Sequence, residues 1–290
     1  MKQEKRYKIY SHSKISTFEK CPLKFKYRYI DKIIPEIEKS IEAHLGTAVH
    51  DTLEWLYSKV KEKTIPSIDE TIVFYSKKWQ EDFSKDIKIV NQEFTHKDYF
   101  NKGIQFLIEY YTKHHPFDDG TIELEKKILL DLDENNEYKI IGYIDRLVKN
   151  LQTGEYEIHD YKTANNLPRQ EDIDNDRQLA LYAIAIKQLF GHEEEVSLVW
   201  HYLAHNKKIT SKRTNEQLQK LKQETLELIK KIESTTEFNP CVGRLCDWCE
   251  YKEVCSAHNP NPSKTIQKEI KPEIKVDSGK YPTISKYIRD

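Results

Sequence analysis

Apolar residues change their spacing along this chain, and the change marks where helices give way to strands. Leu45, Val49, Leu53, Leu56 and Val60 recur three or four residues apart, so residues 44–62 read as an amphipathic helix carrying His50. Ser13 suits the cap of a shorter helix leading to Cys21-Pro22. Helical stretches near 68–85 and 98–114 look like an inserted helical layer over about 64–116, ended by His115-Pro116. The period then falls to two: Ile122, Leu124, Ile128, Leu130 and Leu132 read as one face of a strand. A turn at Asp133-Glu134-Asn135-Asn136 precedes strands at 138–149 and 155–162, themselves joined by a turn at Gln152-Thr153-Gly154. A buried helix near 175–190, a strand near 196–203 and a helix near 215–233 complete an α/β order within a single domain, 1–258. The tail, 259–290, is rich in Pro and Lys and reads as polar, extended or disordered.

The two central strands carry the chemistry. One holds Gly142-Tyr143-Ile144-Asp145-Arg146 and the next His159-Asp160-Tyr161-Lys162-Thr163. Side chains two apart on a strand share a face, so Asp160 and Lys162 project together while Tyr161 points away. A carboxylate and an amine facing a second carboxylate, Asp145, suit a hard cation and a water. Oxygen ligands hold such a cation, and a metal-activated water attacks phosphodiesters. A metal-dependent nuclease is the first expectation.

Composition refines this only locally. Of 290 residues 33% are charged, yet the net charge is −1, so overall charge calls for no polyanionic partner. Residues 1–30, however, hold nine Lys/Arg against two Glu, with Lys24, Lys26 and Arg28 alternating with Phe25, Tyr27 and Tyr29. That interleaving suits a nucleic-acid surface and equally an amphipathic segment with a solvated basic face. The charged opening Met1–Arg6 has no apolar stretch behind it, and the longest apolar run, Leu179–Ile186, is eight residues. The reading is cytoplasmic, with no membrane partner and reduced thiols.

Four of the five cysteines lie within fifteen residues: Cys241, then Cys246-x2-Cys249-x5-Cys255, with Cys21 far upstream. This clustering reads as a metal centre of three C-terminal thiolates closed by Cys21 or Cys241. Only one C-x2-C pair is present, so spacing leaves iron–sulfur and zinc both open.

At these residues the chain resembles a RecB-type nuclease of the PD-(D/E)xK superfamily, in the iron–sulfur branch that includes the AddB nuclease domain and the CRISPR-adaptation exonucleases. The resemblance runs from Ser11 to Cys255 and rests on the order of its motifs. These are Ser11-x-Ser13-x4-Phe18-x2-Cys21-Pro22, Gly46-Thr47-Ala48-Val49-His50, the two strand motifs, Arg177-Gln178-x3-Tyr182 and the C-terminal cysteines, with Phe238-Asn239-Pro240, Trp248 and Tyr251 as their usual surroundings. It implies a restriction-endonuclease-like core, a central mixed β-sheet flanked by helices. It implies that Asp145, Asp160, the Tyr161 carbonyl and His50 ligate Mg²⁺ or Mn²⁺, and that Lys162 orients or deprotonates the attacking water. Gln178 and Tyr182, one turn apart, then face the site or the DNA backbone, and Glu125 is a further candidate behind or beside the metal. Cys21 with Cys246, Cys249 and Cys255 would hold a [4Fe-4S] cluster that staples the chain's two ends, which leaves Cys241 outside the pattern. The implied activity is an exonuclease on single-stranded DNA or DNA ends, in repair, recombination, phage or CRISPR-adaptation processing. No G-x4-G-K-[ST] occurs, so a helicase or integrase would be a separate partner chain. Two other readings are a non-catalytic DNA-binding or scaffold subunit and a sequence-specific endonuclease.

Overall fold

The computed structural model describes residues 7–35, 39–81, 83 and 87–259; the polar tail expected beyond residue 259 lies outside them. A mixed six-stranded sheet runs through its centre. In chain order the elements are β1 (Lys8–Ser11), α1 (His12–Lys20), α2 (Pro22–Phe25), a π-helical turn (Lys26–Ile30), α3 (Ile41–Lys61), α4 (Ile68–Glu81) and α5 (His96–His114). There follow β2 (Thr121–Asp131), β3 (Tyr138–Lys149), β4 (Tyr156–Lys162), α6 (Gln170–Asp174), α7 (Gln178–Phe190), β5 (Val196–Tyr202), β6 (Lys207–Lys212) and α8 (Asn215–Ser234). The cysteine segment after α8 has only two short 3₁₀ turns, Arg244–Trp248 and Lys252–Val254.

The sheet separates two cores. Ile140, Leu147, Ile158, Leu179 and Ile186 pack with α1 and α8 on one side, while α3, α4 and α5 build a second core around Leu53, Tyr57, Tyr75 and Phe106. The expected helical layer is therefore α4 and α5 laid against α3. Caps account for the helix starts. Ser11, not Ser13, caps α1 by accepting from the Lys14 N–H at 3.1 Å, and Ser40 starts α3 three residues earlier than its apolar spacing suggests. Three elements have too little pattern to be read from sequence: β1, β6 and α6.

One feature of the topology places the site. β2 pairs antiparallel along one edge of β3 from Asp131↔Lys139 to Thr121↔Val148. The other edge is shared: β1 pairs parallel with it over Tyr138–Ile141, and β4 antiparallel over Arg146–Lys149. Gly142 to Asp145 thus have no ladder partner on that edge. β1 and β4 diverge there and leave a fork, the kind of crevice where open sheets bind ligands.

Candidate active site

The motif residues converge on this fork. Beyond the Arg146↔His159 pair, β4 leaves β3, and the Asp145 carboxylate substitutes for the missing ladder carbonyl. Its Oδ2 accepts the Tyr161 backbone N–H at 2.9 Å. From α3, His50 closes the third side, with Nδ1 3.3 Å from Asp145 Oδ2 and Nε2 2.7 Å from the Tyr161 carbonyl. A carbonyl only accepts, so Nε2 carries the proton. Gly46, one turn earlier, lies against Thr163, where even a Cβ would make ordinary contact at 3.4 Å from its hydroxyl.

Glu125 completes the cluster. Donor atoms of His50, Glu125 and Asp145 lie within 4.8 Å of one another. Glu125 has φ 43°, a left-handed backbone uncommon outside glycine. Local strain of this kind re-aims a side chain. Burial raises the Glu125 carboxyl, and Glu54 and Asp51 add to the rise.

Asp160 and Lys162 do project together, 2.7 Å apart. The angles fall outside hydrogen-bond geometry, so Asp160 Oδ2 has an ionic neighbour but no directed donor. Asp160 is not in the three-residue cluster, yet its charge reaches Asp145. Burial first, then Asp160, pushes the Asp145 carboxyl up to about 7. Desolvation would lower Lys162, but Asp160 outweighs it and the amine is raised. Its Nζ also reaches Gln178 Oε1 at 3.3 Å.

Tyr182 stands one turn along α7, 5% exposed, with its ring over Gly142. A Cβ at Gly142 would come within 2.3 Å of that ring, which explains why glycine opens the strand motif. Burial raises the Tyr182 phenol, and Asp160 and Asp145 contribute to the rise. We expect Gly142→Ala to displace Tyr182 and cost about 1–3 kcal/mol, the scale of an overpacked core. Thermal unfolding beside a Tyr182→Phe control would check it, since the phenylalanine keeps the ring.

Three more residues face Lys162 from neighbouring elements, and none stands in a motif window that marks it. Asp176, before α7, is raised by burial against the pull of Lys162. Tyr202, paired with Lys162 across β4–β5, is pushed up to about 12, mainly by burial. His12 opens α1 beside Arg177 and Lys162, and burial with those two cations lowers it to about 4. Only contact across the fork reveals them.

The cysteines form a separate site. All five line one cavity of about 340 Å³ with His12, Ser16 and Lys20 of α1. Cys21 is already there: its sulfur accepts from the Cys241 N–H at 3.4 Å and the Lys24 N–H at 3.5 Å. The segment around it docks on the cysteine module through Lys24–Glu250 at 2.6 Å, Tyr27 OH to the Val254 carbonyl and Leu23 N–H to the Asn239 carbonyl. Arg28 also faces Glu250, and Lys26 faces Asp31. The alternating cations are thus engaged by acids and Phe25 is buried. Of the two readings of this segment, the structure favours an amphipathic packing element over an open DNA face.

The profile of the PD-(D/E)XK nuclease superfamily matches residues 9–256, and the chain belongs to that superfamily. Among solved structures it is similar to SSO0001, at 15% identity and TM-score 0.36 with 89% of each chain covered. It is also similar to the crystal structure of a protein named "Putative exonuclease" from Eubacterium rectale, at 15% identity and TM-score 0.46, covering 92% of this chain and 91% of the other. No curated protein matches the chain. Among the described residues, no helix is long and apolar enough to cross a membrane.

Proposed function

We propose that this chain is a cation-dependent deoxyribonuclease acting on single-stranded DNA or DNA ends, with Mg²⁺ or Mn²⁺ at the strand fork. The observation that carries the reading is the convergence of His50, Glu125 and Asp145 beside the Asp160–Lys162 pair. Two carboxylates, a carbonyl and one imidazole are a donor set for those cations, not for a soft ion. When bound, the cation polarises the phosphate and lowers the pKa of a water. Asp145 and Asp160 would hold it, with the Tyr161 carbonyl and His50 completing the set and Glu125 as a further carboxylate ligand. Lys162, beside Asp160 and Gln178, orients or deprotonates the attacking water and offsets charge in the transition state. Tyr182 and Gln178 line the approach from α7.

This reading gives a pH dependence. Asp145 must lose its proton before it can ligate, and its carboxyl is raised to about 7 in the cation-free protein. Cation affinity should therefore climb as pH rises to about 7 and level off above it, with a proton released on binding. Calorimetry in buffers of different ionisation enthalpy measures that proton. Affinity unchanged between acidic and neutral pH would contradict the assignment of Asp145.

For the cysteine cavity we propose a [4Fe-4S] cluster on Cys21, Cys246, Cys249 and Cys255. All five cysteines line one cavity, and an inorganic core held by several thiolates fits such a lining. Backbone N–H groups aimed at Cys21 and Cys246 support thiolates in the same way. The cluster would be structural, because hydrolysis moves no electrons. A helicase or integrase chain remains the partner expected for processing in repair, phage or CRISPR-adaptation settings, and the cytoplasm the expected compartment. The scaffold alternative requires a fork that cleaves no DNA. A cleavage assay on labelled single strands with Mg²⁺, Mn²⁺ or EDTA tests both readings, and a cluster-replete protein that cuts nothing would favour the scaffold.

A further inference from the structure

We infer that Arg146 and the hydroxyl of Tyr161 form a latch in the core under α3 and α5 that sets how far the fork opens, and so where the Tyr161 peptide stands in the cation site. The inference rests on the cation-dependent reading above. Past His159, β4 has left the ladder of β3 and is held on its other edge by β5, through Tyr161↔His201 and Lys162↔Tyr202. The Tyr161 peptide offers its N–H to Asp145 and its carbonyl to His50. Its phenol, packed with Tyr57 and Tyr110 of α3 and α5, accepts from Arg146 Nε at 2.9 Å. Arg146 is the last residue of β3 still paired with β4 on the way to the fork, so its side chain bridges the gap just where the backbone stops doing so.

The rest of the network fixes Arg146 itself. The residue is fully buried. Its guanidinium pairs with Asp119, donates to Thr121 Oγ1 at 3.0 Å and to His159 Nδ1 at 2.7 Å, and lies 4.1 Å over the Tyr57 ring. With Nδ1 accepting, His159 donates through Nε2 to Glu157 at 2.9 Å. Tyr110 OH stands 3.3 Å from Tyr161 OH and 2.8 Å from Tyr57 OH. A buried charge of this kind is poor evidence for stability, since apolar packing of equal volume often does as well. What a planar guanidinium adds is direction, several donors at fixed angles. Here those directions converge on the one tyrosine whose backbone lies in the site. Arg146 and the Tyr161 phenol are positioning groups, since neither reaches the cation.

Tyr161→Phe tests this, because it keeps the ring and removes only the hydroxyl. Mn²⁺ binding, followed by the electron spin resonance of the free ion, should weaken about tenfold, the scale seen when a ligand's supporting partner is lost. Cleavage at limiting Mn²⁺ should fall in step with that affinity. Arg146→Lys, which cannot reach Tyr161, Asp119 and His159 together, should move binding the same way. Ile229→Ala, in the core on the other side of the sheet, supplies a variant of lowered Tm with unchanged Mn²⁺ affinity. If Tyr161→Phe behaved like Ile229→Ala, losing Tm but not Mn²⁺ affinity, the latch would be wrong. A parent protein that bound no Mn²⁺ would overturn the latch and the functional reading together, whereas a parent that binds and cuts leaves only the latch in question.

Discussion

Replacing Asp145 by asparagine should abolish cleavage and yet make the cation-free protein more stable. Both effects come from the same burial. The carboxyl is buried beside Asp160 and is raised to about 7. An acid raised on folding binds its proton more tightly folded than unfolded, so stability falls as pH climbs from the unfolded carboxyl's range to about 7. Above that the full cost of the buried charge is present. Asparagine carries no charge and still offers an oxygen to the Tyr161 N–H, so at pH 8 in EDTA the variant should melt higher, by about 5 °C. Cleavage should drop more than about 10²-fold, because losing a supporting partner alone costs 10–100-fold. Asp145→Ala should be equally inactive but without the gain, since it leaves that N–H unpaired, at about 1–3 kcal/mol. Differential scanning calorimetry with and without Mg²⁺, beside a gel assay of labelled DNA, measures both. Saturating Mg²⁺ should stabilise the parent and leave Asp145→Asn unmoved. A variant that melts below the parent in EDTA and still cuts DNA would remove Asp145 from the site.

What the sequence disclosed follows from where its pattern is strong. Long periodic stretches gave α3, α8, β3 and β4, and alternation along β4 placed Asp160 and Lys162 on one face, 2.7 Å apart in the structure. It could not disclose the fork, which arises because β1 and β4 share one edge of β3. β1 is four residues long and exists through its pairing with Tyr138–Ile141; β6 carries Ile209 as its one apolar residue among lysines. Glu125 lay on the expected strand, but its position depends on a left-handed backbone that no periodicity announces. His12, Asp176 and Tyr202 come from three elements and meet only in three dimensions. The basic stretch around Lys24 and Arg28 left two readings open for a similar reason, because its acidic partner Glu250 lies more than two hundred residues away.

Cys21→Ala should lose iron and stability as severely as Cys249→Ala, although it stands 220 residues before Cys241. The proposed cluster closes a loop of more than two hundred residues, which in the chain-entropy treatment of cross-links is worth about 5 kcal/mol. Local packing is modest by comparison: one close ion pair, a few hydrogen bonds and the Phe25–Phe238 stack at 6.4 Å. Isolated without oxygen, the protein should be brown and carry roughly four irons per chain. Cys246→Ala and Cys255→Ala should follow the same course. Cys241→Ala should keep its iron, because Cys241 contributes its backbone N–H to the Cys21 sulfur, and alanine keeps that N–H. Metal analysis, visible absorption and thermal unfolding of the five variants decide the matter. A colourless protein with stoichiometric zinc would exclude the cluster. Iron kept in Cys21→Ala and lost in Cys241→Ala would make the centre local to the C-terminal segment. The two ends of the chain would then be joined by packing contacts such as those of Leu23, Lys24, Tyr27 and Arg28, and the loop would contribute nothing to stability.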